Sequence, residues 1–178
     1  KNGTVFSRSI WNEAAPFGAP TTSWPISEPS IWIRSPTRAS IVVNDLGGTT
    51  DGQGNDARAA DAVVAQIQAL GGVAVANYDS VATAQGGERI VQTAMDAFGT
   101  VDIVINNAGI LRDASLVKMS AENFDTLIDV HLKGAFYVTQ PAFRVMKEKG
   151  YGRVVYTASG AGLFGNFGQA NYAAAKMG

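Results

Sequence analysis

Near the end of the chain, "GNFGQANYAAAKMG" (165–178) places Tyr172 four residues before Lys176. On a helix that begins near Asn171 the two share one face, one turn apart. A phenol beside an ammonium suits proton transfer, because the cation favours the phenolate. Such a pair also arises on any helix surface, so its meaning depends on the rest of the chain. Other polar residues stand where short apolar runs end: Asp45 after "IVVN", Asp79 in "NYDSV", Asn107 and Gly109 in "NNAG" after "VDIVI". Ser159 closes "GRVVYTAS", thirteen residues before Tyr172. With His131 the single histidine and no cysteine present, multi-histidine and thiolate metal sites, disulfides and a cysteine nucleophile are excluded, and no metal is expected.

The elements that must carry these residues are readable from residue 41 onward. "IVVND" (41–45), "VAVANY" (73–78), "VDIVIN" (101–106) and "GRVVYTAS" (152–159) read as buried strands. Helices are expected over 56–72, with Val63, Val64, Ile67 and Leu70 inward, over 82–98, with Ile90, Val91, Met95 and Phe98 inward, and over 120–149 behind a Ser120 cap. "LGGTTDGQGN" (46–55) and "GAGLFGNFGQ" (160–169) read as glycine-rich loops. Strands alternating with helices of this length imply right-handed βαβ units and an α/β fold with a parallel, doubly wound sheet. Ligands of such sheets bind beyond the carboxyl ends of the strands, which is where these polar residues stand.

The first forty residues differ in kind. They hold all three tryptophans and five of the six prolines, and show neither a helical nor an alternating apolar period. Composition across the chain, with 46% hydrophobic residues and a net charge of -1, points to no nucleic-acid or anionic-membrane partner. No apolar run reaches membrane-spanning length and no secretory leader is evident, so a cytoplasmic protein without membrane association is expected.

"NNAG" after a strand, with Ser-x12-Tyr-x3-Lys beyond it, resembles the short-chain dehydrogenase/reductase family over residues 41–178. "VVNDLGG", "NNAGILRD", "DVHLKGAF" and "GNFGQANYAAAK" are most similar to the (3R)-hydroxyacyl-CoA dehydrogenase part of multifunctional β-oxidation enzymes and its bacterial relatives. The resemblance implies a Rossmann-like fold, NAD as cofactor, and a secondary alcohol or ketone substrate such as a 3-hydroxyacyl-CoA. It implies Tyr172 as general acid/base, Lys176 lowering its pKa and binding the nicotinamide ribose, and Ser159 bonding the substrate oxygen. Asp45 would accept the adenosine ribose hydroxyls, unless it only forms a turn. Asp79 would face the adenine or serve as a turn residue, and Asn107 and Gly109 would line the cofactor groove. Arg112 and Asp113 read as an ion pair within a loop. A homodimer or homotetramer is expected of the complete protein.

Two features depart from the family pattern. His131 stands where most members have a helix-kinking asparagine in a proton relay, and an imidazole can either join that relay or simply pack. The phosphate-binding turn, Thr-Gly-x3-Gly-x-Gly, should fall near residues 20–27, which read "PTTSWPIS". Residues 1–40 are therefore set apart as an atypical segment, expected to be a frame-shifted or misread start, and 41–178 as a partial domain. The sheet is expected to be incomplete, with its central position empty and its C-terminal part missing. A 3-oxoacyl-carrier-protein reductase is the alternative within the family, and a non-catalytic pseudoenzyme or interaction module the alternative outside it.

Overall fold

The computed structural model describes residues 2–7, 39–54 and 58–178 of the protein. Five parallel strands form one sheet: β1 (Asn2–Ser7), β2 (Ala39–Asn44), β3 (Val73–Asn77), β4 (Ile103–Asn106) and β5 (Arg153–Tyr156). Their order is β3-β2-β1-β4-β5, reversing direction at β1, as in doubly wound folds. The expected α/β architecture is present.

The expectation of an empty central position is corrected. "NGTVFS" fills it as β1, in register with β2 from Asn2↔Ala39 to Ser7↔Asn44 and with β4 from Thr4↔Ile103 to Phe6↔Ile105. Only "TVF" within those six residues favours strand, too short a run to show a period beside Asn2 and Gly3. Residues 20–27, the three tryptophans and the five N-terminal prolines lie outside the described residues.

Adjacent strand residues alternate between faces, and β2 shows both being covered: Val42 and Val43 are each fully buried, in different clusters. Val43 packs with Ala60 and Ile67 of helix α1 (Arg58–Ala69). Leu70, expected on that apolar face, falls past the helix end and is exposed. On the other face Val42 and Val104 meet Ile90, Val91 and Ala94 of α2 (Ala84–Phe98). Thr83 caps α2 by accepting from Gly86 N at 3.1 Å.

The helix expected over 120–149 is one continuous rod with a defect in it. Ser120 caps α3 (Ala121–Ile128) by accepting from Asn123 N at 3.1 Å, as expected. A π-helical turn follows over Asp129–Lys133, then α4 (Gly134–Lys149). Val138, Ala142 and Met146 of α4 close the core against α2. Pro141 cannot donate to the carbonyl of Tyr137 four residues back, and α2 lies directly on that carbonyl. A Cβ on Gly87 would stand 2.3 Å from the Tyr137 oxygen, so only glycine permits this approach. Beyond β5 come a short helix α5 (Gly160–Phe164), in sequence expected to be loop, and α6 (Ala170–Met177).

Candidate active site

The sheet order sends the residues after β2, β3, β4 and β5 to one edge, and α6, packed on α3 and α5, reaches the end of β5 through Lys176. Tyr172 and Lys176 sit one turn apart on α6, as their spacing required. Tyr172 is 3% exposed, and its hydroxyl is buried without a well-formed hydrogen bond. Lys176 Nζ donates to Thr157 O at 2.7 Å and stands 5.8 Å from the Tyr172 ring centroid. Ser159 caps α5, its Oγ accepting from Ala161 N at 3.3 Å.

Burial dominates the electrostatics at Tyr172. Burial raises the Tyr172 pKa, the Ser159 hydroxyl pulls it down, and the Asp113 charge raises it again. Lys176 does not reverse this. Burial lowers its own pKa, and the hydrogen bond its ammonium makes is to the Thr157 carbonyl. The tyrosine therefore holds its proton.

His131 belongs to the same cluster. It lies within the π turn, where the widened helix turns its ring edge-on to Tyr172, with centroids 5.1 Å apart at 88°. Its Nε2 lies 2.8 Å from Ile110 O and 3.0 Å from Ile110 N, while Nδ1 is buried with no partner among the described residues. Burial lowers its pKa from 6.5 to about 4, the Ile110 backbone opposes that, and the Lys176 charge reinforces it. The imidazole is neutral at pH 7. Gly109 makes room for it, since a Cβ there would lie 2.4 Å from His131 Cε1.

At the other end of the edge, Asp45 is 8% exposed. Its Oδ1 accepts from Gly47 N at 2.7 Å, and its Oδ2 is buried without a partner among the described residues. Asp45 lines a cavity of about 250 Å³ together with Gly48, Asp79, Ala108, Gly109 and Val130. A buried carboxylate oxygen left unpaired can accept a hydroxyl from a ligand, and a sugar diol offers two. A second cavity, of about 420 Å³, shares Asn44, Val81, Ala108 and Val130 with the first and is walled by His131, Thr157 and Lys176.

Asp79 is already engaged. Arg89 Nε donates to its Oδ1 at 2.5 Å and Asn77 Nδ2 to its Oδ2 at 2.9 Å, so its side chain holds the β3 turn. Asn107 Oδ1 accepts from Thr157 Oγ1 at 2.8 Å, tying the end of β4 to that of β5. Arg112 and Asp113 are not bonded to one another as expected: Arg112 Nε donates to Asp51 O at 2.9 Å, and Asp113 accepts from Gln169 Nε2 at 2.9 Å.

Sequence reasoning missed Asn171, which is fully buried. Its Oδ1 accepts from Tyr172 N at 2.8 Å and its Nδ2 donates to Arg112 O at 3.0 Å. It also missed the amide pair Asn44–Asn77, 2.8 Å apart, that joins β2 to β3. A polar residue ending an apolar run was the available signal for that pair; Asn171, inside a helix, offered none.

The sequence profile of the short chain dehydrogenase family matches residues 52–178. Peroxisomal multifunctional enzyme A of Dictyostelium discoideum is 58% identical over 139 residues, covering 78% of this chain and 31% of that protein. The peroxisomal hydratase-dehydrogenase-epimerase of Saccharomyces cerevisiae is 56% identical over 140 residues, 79% of this chain and 15% of that protein. A crystal structure of a short chain dehydrogenase from Mycobacterium avium superposes with a TM-score of 0.69 at 44% identity, over 79% of this chain and 50% of that one. The chain thus spans half or less of the length of these proteins. Serine, tyrosine and lysine gathered at the carboxyl edge of a doubly wound sheet agree with these matches, and the chain belongs to the short-chain dehydrogenase family.

Proposed function

We propose that the complete protein is an NAD-dependent oxidoreductase that interconverts a secondary alcohol and a ketone, with a (3R)-hydroxyacyl-CoA as the alcohol. The observation that carries this reading is the buried Tyr172 hydroxyl, without a well-formed hydrogen bond among the described residues, one helical turn from Lys176 and under the edge of His131. The substrate class is supported by the sequence resemblance and by the yeast relative, whose name couples a hydratase with a dehydrogenase. A hydratase forms an alcohol, and a dehydrogenase consumes one.

The residues present fit a dinucleotide at two points. Asp45 Oδ2 is free to accept from the adenosine ribose, and its charge would repel a 2′-phosphate, which favours NAD over NADP. Lys176, a turn from Tyr172, is placed for the nicotinamide ribose. When bound, the nicotinamide supplies the hydride acceptor for the alcohol or the donor for the ketone. Tyr172 carries the proton, taking it from the hydroxyl during oxidation and returning it to the carbonyl oxygen during reduction. Because burial keeps the phenol protonated, it is ready as an acid at neutral pH, whereas oxidation should quicken as the pH rises. Ser159 donates to the substrate oxygen as its charge changes. His131, neutral and edge-on to Tyr172, would serve as the relay partner of the phenol. We read the complete protein as a homodimer or homotetramer.

The test is reduction of NAD, followed by absorbance, with (3R)- and (3S)-hydroxyacyl-CoA thioesters, on wild type and Asp45→Ala. Turnover of the 3R thioester is expected, and a fall of at least ~10-fold in the NAD-over-NADP ratio of kcat/KM in the variant. Turnover of neither thioester would overturn the substrate reading, and an unchanged ratio would make Asp45 a turn residue only.

A further inference from the structure

Residues 111–114 run between the two ends of the site and are tied to both. On one side Leu111 N donates to Thr50 O at 2.8 Å and Arg112 Nε to Asp51 O at 2.9 Å, both in the loop that follows Asp45. On the other side Asn171 Nδ2 donates to Arg112 O at 3.0 Å, Gln169 Nε2 to Asp113 Oδ2 at 2.9 Å, and Ala114 N to Gly168 O at 2.9 Å. Those three partners enter α6 directly ahead of Tyr172. The Arg112 side chain is only 14% exposed, and its Nη1 also reaches Asn123 Oδ1 at 3.5 Å and Thr126 Oγ1 at 3.4 Å on α3. Asn171 completes the linkage, donating to Asn123 O at 3.4 Å while accepting from Tyr172 N.

A guanidinium this covered normally meets a carboxylate closely, yet among the described residues its ion pair is with Glu122, long at 3.9 Å and with that partner 85% exposed. Its donors go instead to a carbonyl of one loop and to side chains of the helix beneath the other. Its planar fork fixes the distance between those groups, which a flexible ammonium would not.

We propose that residues 111–114 form a strap that sets the spacing between the Asp45 loop and the catalytic helix, with Arg112 as its positioning residue. The strap rests on the reading of Asp45 and Tyr172 as the adenosine and nicotinamide ends of one site. Its consequence is specific. A cofactor that spans both ends feels the distance between them, and half a cofactor does not. Removing the Arg112 side chain leaves the backbone carbonyl that Asn171 grips, so Tyr172 itself stays in place.

The experiment compares NAD with nicotinamide mononucleotide as hydride acceptor, in the full-length protein and its variants Arg112→Met, Arg112→Lys and Asn171→Ala, all checked by thermal melting. Arg112→Met should lower kcat with NAD roughly tenfold and raise its KM, while turnover with the mononucleotide stays within about twofold of wild type. Arg112→Lys, which keeps one donor for Asp51 O, should recover part of the NAD rate and decides the matter should Arg112→Met fail to fold. Asn171→Ala should slow both acceptors, because it loosens Tyr172. Equal losses with both acceptors in the Arg112 variants, or no loss with either, would overturn the strap. A wild type inert toward NAD would instead overturn the dehydrogenase reading on which it rests.

Discussion

Tyr172, Lys176 and His131 share one low-dielectric cluster, and each has its ionisation shifted against its charged form by burial. For His131 the consequence can be measured without substrate. Its folded pKa of about 4 lies below the unfolded 6.5, so between these values the unfolded chain binds more protons than the folded one. The stability it contributes is complete above pH 6.5 and is lost as pH falls toward 4. At 1.36 kcal/mol per pH unit, that loss is roughly 3 kcal/mol. Denaturant unfolding across this window should show the loss in wild type and a shallower one in His131→Gln. Equal slopes would mean the ring is solvated. The family spacing pointed to Ser159, Tyr172 and Lys176 from sequence alone, because one helical turn is legible wherever a helix is. The direction of the tyrosine shift was not legible, since it is set first by how deeply the fold buries the phenol, which no local spacing records.

Among the elements, β2, β3, β4, α2 and α6 followed from apolar runs and caps that each stand within a few consecutive residues. β1 did not, because its place between β2 and β4 is set by pairing across tens of residues rather than by its own pattern. The helix over 120–149 was read correctly as to extent, but its π turn was not, since nothing in "DVHLK" breaks the apolar spacing. That turn is what presents His131 to Tyr172. The close contact of α2 and α4 was hidden for a related reason: Gly87 and Pro141 have meaning only as a pair. Gly87→Ala forces a methyl into the Tyr137 carbonyl and should cost about 1–3 kcal/mol as overpacking, seen as a lowered Tm. A Tm within a degree of wild type would show that α2 can slide away from α4 freely.

The whole molecule keeps apolar side chains on two sides of its longest rod. Leu127, Val138 and Met146 face the core, whereas Phe124, Phe136 and Phe143 are exposed, the last two seven residues apart and so on one face. The outward phenylalanines give this rod a second apolar face beside the one turned to the core. A homodimer or homotetramer of the complete protein would bury them. Light scattering at micromolar concentration should report such an assembly, and Phe136→Glu should weaken it while leaving the monomer folded. A monomer in the wild type would contradict this. The fold class was legible because βαβ alternation repeats along the chain.

The central claim is that Tyr172 moves the proton that accompanies hydride transfer. Single-turnover oxidation of a (3R)-hydroxyacyl-CoA by Tyr172→Phe, with NADH affinity measured in parallel, tests it most directly. Phenylalanine keeps the ring that His131 meets edge-on and removes only the hydroxyl. Hydride transfer should slow by ~10²-fold or more with cofactor affinity little changed. A transfer rate near that of the wild type would contradict the account.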